Sequence, residues 1–398
     1  MISIDEARGR ILEGLSPTGA ETVALAEAQG RILAADITAR VSNPPADVSA
    51  MDGYALLAAD TGPREVIGEA PAGHPFPGQV GAGQAVRLFT GSFVPDGADS
   101  IAIQEDCTRL GTTLTVNESP RPGQHIRRKG QDFAAGDVMI TAGARLSPRH
   151  IGLIAASNTP WVAVRRRPEV AILATGDEIA LPGDPIPQGG IVSSNAHALA
   201  ALVRACGGAP LILPIAADNR NAIATAALSA RRCDLLVTTG GASVGDHDLV
   251  ASALAEQGMV LDFWKIAMRP GKPLMHGRLG DLPLLGLPGN PVSAYLCAVL
   301  FLKPAIEKLL GLPGHAPTPV AARVTADLPE NDLRFDHLRC RLQTAEDGTL
   351  EAIPAARQDS SMMRTLAISD GVILRPPFAK ALSAGAKVNV LRLDFMGL

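Results

Sequence analysis

Aromatic side chains are scarce: Phe, Trp and Tyr make up 3% of a chain that is 46% hydrophobic. The core must therefore be built from Ala, Val, Leu and Ile. Cysteine is sparse too. Cys107, Cys206, Cys233, Cys297 and Cys340 stand far apart with no Cys-x-x-Cys pair. That excludes a zinc knuckle and a disulfide framework, and suits buried thiols in a reducing cytosol. The eight histidines show no metal-ligand spacing, and no activated Ser, Cys or His nucleophile is apparent. The longest apolar run, Ala294 to Leu302, falls far short of the roughly 20 residues that span a bilayer. The start, Met-Ile-Ser-Ile-Asp-Glu, is acidic and unlike a secretory signal. A net charge of −4 excludes a whole-protein footprint for nucleic acid. The expectation is a cytoplasmic protein with neither membrane nor nucleic-acid partner.

What the chain has in quantity is glycine and proline, 40 and 31 in 398 residues, spread among apolar runs. That length predicts two to four domains. Ser3 with Glu6 reads as a capping box before a helical face of Ile4, Ala7, Ile11 and Leu15, and a second helix is expected over Leu25 to Gln29. From about Val41 short β-rich runs alternate with turns: Glu65-Val-Ile, Ala85 to Phe89, Ser100 to Gln104 and Thr112 to Val116. Around Asp137 to Val164 the chain is expected to return and pack near its own beginning. From Pro168 strands and helices alternate. Val170 to Leu173, Leu211 to Ile215, Asp234 to Thr238, Val260 to Trp264 and Leu284-Leu285 are expected strands. Helix starts are expected at Ser194-Asn195, Asp218-Asn219, Asp248 and Asn290-Pro291. Such alternation predicts a mostly parallel sheet with helices on both faces and ligands at its C-terminal edge. After the hinge Gly311 to Pro319 a small β domain is expected.

The organising stretch is Asp234 to Asp248, an apolar strand, two threonines, Gly240-Gly241, Ser243, Gly245, then a helix start. Glycines between a strand and a helix N-terminus leave backbone N–H groups free to face an anion. Glu178, Asp218 and Asp248 each follow an expected strand end, so they can converge as hard oxygen ligands for Mg²⁺. Each of them singly also reads as a helix cap, and Asp177 can serve the turn. Arg269-Pro-Gly-Lys272, held rigid by Pro270 and Pro273, brings two cations together, with Lys265 on the preceding strand. Paired cations suit an oxyanion.

With these go Ser-Ala-Met-Asp52-Gly-Tyr, Ala-Thr175-Gly-Asp-Glu178 and Leu-Pro288-Gly-Asn-Pro-Val-Ser293. Together, in this order, the motifs resemble the molybdopterin molybdenumtransferases, the MoeA family with the related E domain of gephyrin. The resemblance implies a multidomain α/β plus β fold: a three-layer α/β molybdopterin-binding domain with a β-rich insertion domain, a discontinuous linking domain and a C-terminal small β-barrel. The implied boundaries are 1–40 with 138–166 for the linking domain, 41–137, 167–315 and 316–398. It implies insertion of molybdenum from molybdate into adenylated molybdopterin, with Mg²⁺ bound and AMP released. Arg269, Lys272, Pro273 and Ser293 would line the oxyanion pocket, with Arg339 and Ser360 near it. Some relatives carry Lys where this chain has Arg269. Asp52, Thr90, Arg127 and Asp132 would form a second wall, supplied by the partner in a homodimer with shared clefts. The adenylyltransferase of the same pathway would be a protein partner.

Two other readings remain. One is the molybdopterin adenylyltransferase, which shares the α/β domain but not the β insertion or C-terminal β domain. The other is a gephyrin-like scaffold that keeps the fold and binds a protein.

Overall fold

The computed structural model describes residues 1–240 and 249–393. Its internal contacts divide it into two units, Met1–Ala20 with Arg165–Leu398, and Glu21–Val164.

In the first unit the N-terminal helix Ile4–Glu13 starts as expected, with Ser3 Oγ accepting the Glu6 N–H at 3.1 Å. The reciprocal half of the capping box is absent, because the Glu6 carboxylate accepts a 2.6 Å hydrogen bond from Arg10, one turn on. This helix packs against Lys303–Leu309 of its own unit.

The central sheet runs Ala209–Ile212, Glu169–Ala174, Leu235–Thr239, Leu282–Leu287, Met275–Leu279 and Met259–Trp264. The first four are parallel, in registers such as Val170↔Leu235 and Leu236↔Leu284. Met259–Trp264 runs in the same sense as these four, as expected, but at the edge it pairs antiparallel with Met275–Leu279, an unexpected strand that runs against them. The reason lies in the connection: only Gly280-Asp281 separates Leu279 from Leu282, enough for a hairpin and too short for a crossover. The helices Arg220–Ser229 and Leu249–Glu256 bury Ile223, Ala227, Val250 and Leu254 against Ala171, Leu173, Leu236 and Leu284. Neighbouring strand residues Val170, Ile172 and Val237 are equally buried, as the two-residue period of a sheet covered on both sides requires. The sheet's lower end is pinned by Arg166, which grips Asp234 through two hydrogen bonds of 2.7 and 3.0 Å, while Asp234 accepts the Glu169 N–H.

The C-terminal part is a closed ring of five strands: Phe335–Thr344, Leu350–Pro354, Val320–Val324, Lys387–Arg392 and Gly371–Arg375, which pairs back with the first. Val324, Cys340, Ala352, Ile373 and Val390 fill it. A two-residue strand, Met268–Arg269, joins from outside in parallel with Phe335–Asp336.

In the second unit the sheet order is Ser100–Ile103, Gly53–Leu56, Gln84–Leu88, Arg64–Ala70, Thr113–Val116 and Cys107–Leu110. A separate core joins Val23, Leu33 and Ile37 to Ile140, Ile154 and Val164, so the chain does return upon itself. The helix expected over Leu25 to Gln29 is a single 3-10 turn, Leu25–Glu27. Among the thiols, Cys206, Cys297 and Cys340 are buried as expected, whereas Cys107 and Cys233 are half-exposed.

Candidate active site

The parallel strands end side by side. Thr175 donates its N–H to the Thr239 carbonyl at 3.2 Å, and Thr239 Oγ1 reaches the Pro288 carbonyl at 3.3 Å. Above these ends lies a cleft of about 640 Å³. Its lining includes Glu178, Asn195, Gly240, Pro273, Pro288 and Ser361. Gly240 forms part of its base with φ of +95°, and a Cβ there would lie 2.4 Å from the Thr175 carbonyl oxygen. Only glycine fits. Gly241, Ser243, Gly245 and Asp248 lie outside the described residues.

Several expected residues hold the cleft without lining it. Thr175 is 1% exposed and sits directly beneath Gly240. Ser293 is buried in the first turn of the helix Pro291–Cys297. Asn290 stands at that helix's N-cap as expected, but without a side-chain cap bond. Arg339 is 1% exposed: its guanidinium donates to the carbonyls of Met362, Arg357 and Asp359, and its Nε to Gln358. It thus props up the loop that carries Ser360. Ser360 gives its carbonyl to the Val292 N–H at 3.1 Å, and it is the neighbouring Ser361 that lines the cleft.

The sequence reading also missed Asn195 as more than a helix start. Its Nδ2 donates to Thr239 Oγ1 at 2.9 Å and to the Gly289 carbonyl at 2.7 Å, joining two walls of the cleft. An amide beside a strand end was the available signal.

Asp177 accepts the Asp218 N–H at 3.0 Å, so it does serve the turn, and the helix cap belongs to Asn219. Partial desolvation, then the charges of Asp177 and Glu178, push the Asp218 carboxyl above the usual carboxylate range. Among the described residues no three acidic, His or Cys side chains are gathered tightly enough to hold a metal. The third carboxylate of the expected set, Asp248, is outside them.

The cationic turn differs from the expected pair of free charges. Arg269 donates to Asp332 at 3.0 Å, to Asn331 at 3.2 Å and to Asp336. Lys272, half-buried, has no side-chain partner among the described residues. Lys265 lies just past the end of its strand, exposed, with its ammonium 5.6 Å from the Trp264 ring centre.

In the second unit, Asp52 Oδ1 accepts both the N–H and the Oγ1–H of Thr90, at 2.7 and 2.8 Å. These bonds, the backbone one first, hold the Asp52 carboxyl below its ordinary range. Gly53 opens a strand in which a Cβ would meet the Ala102 carbonyl oxygen at 2.1 Å. Arg127 is exposed on Ile126–Arg127, which pairs with Val48–Ser49, close to Asp52 in sequence. Asp132, also exposed, lies farther along and accepts a 3.1 Å hydrogen bond from Asn43.

Three family profiles tile this chain: the MoeA N-terminal region (domain I and II) over residues 2–157, the probable molybdopterin binding domain over 171–308, and the MoeA C-terminal region (domain IV) over 321–393. The molybdopterin molybdenumtransferase of Haemophilus influenzae is 35% identical over 397 residues, covering 98% of each chain. The chain belongs to the MoeA family. A second molybdopterin molybdenumtransferase, from Nostoc sp., is 36% identical over 94% of this chain and 88% of its own. Among solved structures, the molybdopterin biosynthesis moea protein of Pyrococcus horikosii superposes with a TM-score of 0.87 at 28% identity, covering 98% of this chain and 99% of its own. The MoeA fold, with its molybdopterin-binding domain and closed five-strand barrel, is therefore the fold described above. No helix among the described residues is long and apolar enough to cross a membrane.

Proposed function

We infer that this chain is a molybdopterin molybdenumtransferase acting in molybdenum cofactor biosynthesis, with molybdopterin and molybdate as substrates. What carries the reading is kinship over 98% of both chains with an enzyme of that name, together with a cleft at the sheet edge where α/β folds bind ligands.

In finer detail, the pterin enters as its adenylate, with its phosphates over the glycine turn that begins at Gly240. Backbone N–H groups there answer the negative charge. Glu178, Asp218 and Asp248 would hold Mg²⁺. Desolvation, then repulsion from Asp177 and Glu178, raises the Asp218 carboxyl, and a divalent cation relieves such repulsion. When bound, the ion would neutralise phosphate charge. Molybdate is held beside Lys272, near Pro273 and Ser361. Water adds across the phosphoanhydride to give AMP and the molybdopterin phosphate, and the dithiolene takes up molybdenum as its two thiol protons leave with one molybdate oxygen as water. The protein's share is positioning and charge neutralisation. Asp52, Thr90, Arg127 and Asp132 serve the cleft of the other subunit in a homodimer. The linking, insertion, α/β and barrel domains follow the boundaries given above.

The test incubates the purified protein with adenylated molybdopterin, Mg²⁺ and molybdate, following AMP and active cofactor together. Both should appear, and both should depend on molybdate. Absence of both would overturn the transfer, and formation of the adenylate from ATP would identify the adenylyltransferase instead. For the dimer, mixing inactive Asp52→Ala and inactive Asp248→Ala proteins should restore activity once subunits exchange; no recovery would remove the shared cleft.

A further inference from the structure

Arg269 and Lys272 flank one turn, yet their surroundings differ in kind. Arg269 lies on the short strand that adds to the barrel, in register with Asp336. Its guanidinium is claimed by Asp336 and Asp332 and by the side-chain oxygen Oδ1 of Asn331. Those acceptors are themselves fixed. Asp336 is 4% exposed, and Asn331 donates to the carbonyls of Arg334, Arg375 and Pro376. Asp332 also receives Arg334 at 2.8 Å. Two carboxylates against two guanidiniums leave this cluster without net charge, so Arg269 offers an incoming dianion little attraction.

The same strand leads to the cleft. From Asp336 it runs to Arg339, which gathers the carbonyls of the loop 357–362. That loop presents Ser361 to the cleft and ties Ser360 to the helix Pro291–Cys297. Moving the barrel edge at Asp336 would therefore move Ser361.

We propose that Arg269 is a positioning residue: it straps the barrel edge, through Asp336 and Asp332, to the Arg-Pro-Gly-Lys turn, and leaves Lys272 as the cation of that turn that meets the oxyanion. The proposal rests on the oxyanion reading of the turn for its second half only. A planar fork can bridge two carboxylates and an amide, whereas an ammonium presents a single point charge. Lysine at this position would keep the charge and lose the strap.

The test uses the full chain and five variants: Arg269→Lys, Arg269→Ala, Asp336→Ala, the double Arg269→Ala/Asp336→Ala, and Lys272→Ala. Thermal unfolding gives a readout independent of activity. If the strap exists, Arg269→Lys lowers the midpoint, and the double variant lies above the sum of its two single changes (Arg269→Ala serving as the second single). Additive effects would remove the strap. Molybdate dependence of AMP release gives the second readout. Lys272→Ala should raise the molybdate KM by about ten- to a hundredfold, while the double variant stays within about threefold of wild type. Arg269→Lys, which loses the strap but keeps the charge, should show the same modest rise as the double variant. Wild-type behaviour of Arg269→Lys, or a double variant as impaired as Lys272→Ala, would make Arg269 an anion ligand and overturn the proposal. Failure of the function itself would appear as wild-type protein without molybdate-dependent turnover, with the unfolding comparison still deciding the strap.

Discussion

Asp52 and Thr90 form a closed pair in which one carboxylate oxygen takes both hydrogen bonds that a threonine can give, at 2.7 and 2.8 Å. Donors aimed at the charged form favour it, which is why the carboxyl is held below its usual range. Thr90→Val removes the hydroxyl and leaves the N–H. The Asp52 pKa should then rise toward the ordinary value, and any acid limb of the pH–rate profile that reports Asp52 should move to higher pH. Carboxyl-carbon NMR titration of both proteins checks the direction.

A Cβ at Gly240 would meet the Thr175 carbonyl, and the backbone there has φ of +95°. Gly240→Ala should lower stability by about 1–3 kcal/mol through backbone strain and weaken pterin binding at least as strongly. Thermal unfolding and a fluorescence titration with molybdopterin measure the two effects.

Asn195 links Thr239 and Gly289 across the cleft. Asn195→Ala should cost about 0.5–1.5 kcal/mol, because Thr239 and Gly289 lose a half-buried donor. Pterin affinity should fall more than molybdate dependence, since the bridge lies between the glycine turn and the Pro288-Gly289 wall. Separate substrate titrations distinguish the two.

His337 is 4% exposed in the barrel, its Nδ1 is buried without a partner among the described residues, and burial pushes its pKa down to about 4. The unfolded chain, with an ordinary value near 6.5, binds the proton more readily than the fold does. His337 therefore contributes stability that is fully present above about pH 6.5 and is lost as pH falls toward 4. The loss amounts to about 3 kcal/mol, taking roughly 1.4 kcal/mol per pKa unit. His337→Leu should flatten that part of the stability–pH curve, as read by denaturant unfolding between pH 7 and pH 4.

Much of this is legible in the sequence. The alternation after Pro168 specified the parallel strands, because buried runs such as Leu235 to Val237 admit few other readings. The glycines marked the cleft because backbone approach is their chemistry. Hidden from the sequence were pairings between distant residues. Nothing in Arg269-Pro-Gly-Lys272 says that Asp332 and Asp336 will take the arginine. Arg339 looks like any basic residue on a strand, yet it is buried under a ring of carbonyls. The strand that runs against the others, Met275–Leu279, was missed because its apolar run is interrupted by His276, Gly277 and Arg278, and its reversal comes from the two-residue turn Gly280-Asp281.

The strand Met268–Arg269 comes from the middle of the α/β domain, yet hydrogen-bonds into the barrel. The barrel is accordingly not a detachable cassette. A fusion or domain swap cut in the linker between Gly311 and Pro319 would carry off five strands and leave the sixth behind. The severed barrel would expose a raw edge at Phe335-Asp336, with a sequestered carboxylate deprived of its guanidinium, while the remaining fragment would bear an arginine with no counter-charge. Recombination at the most obvious seam in the sequence would thus yield two damaged pieces, and the two segments are constrained to be inherited and engineered together.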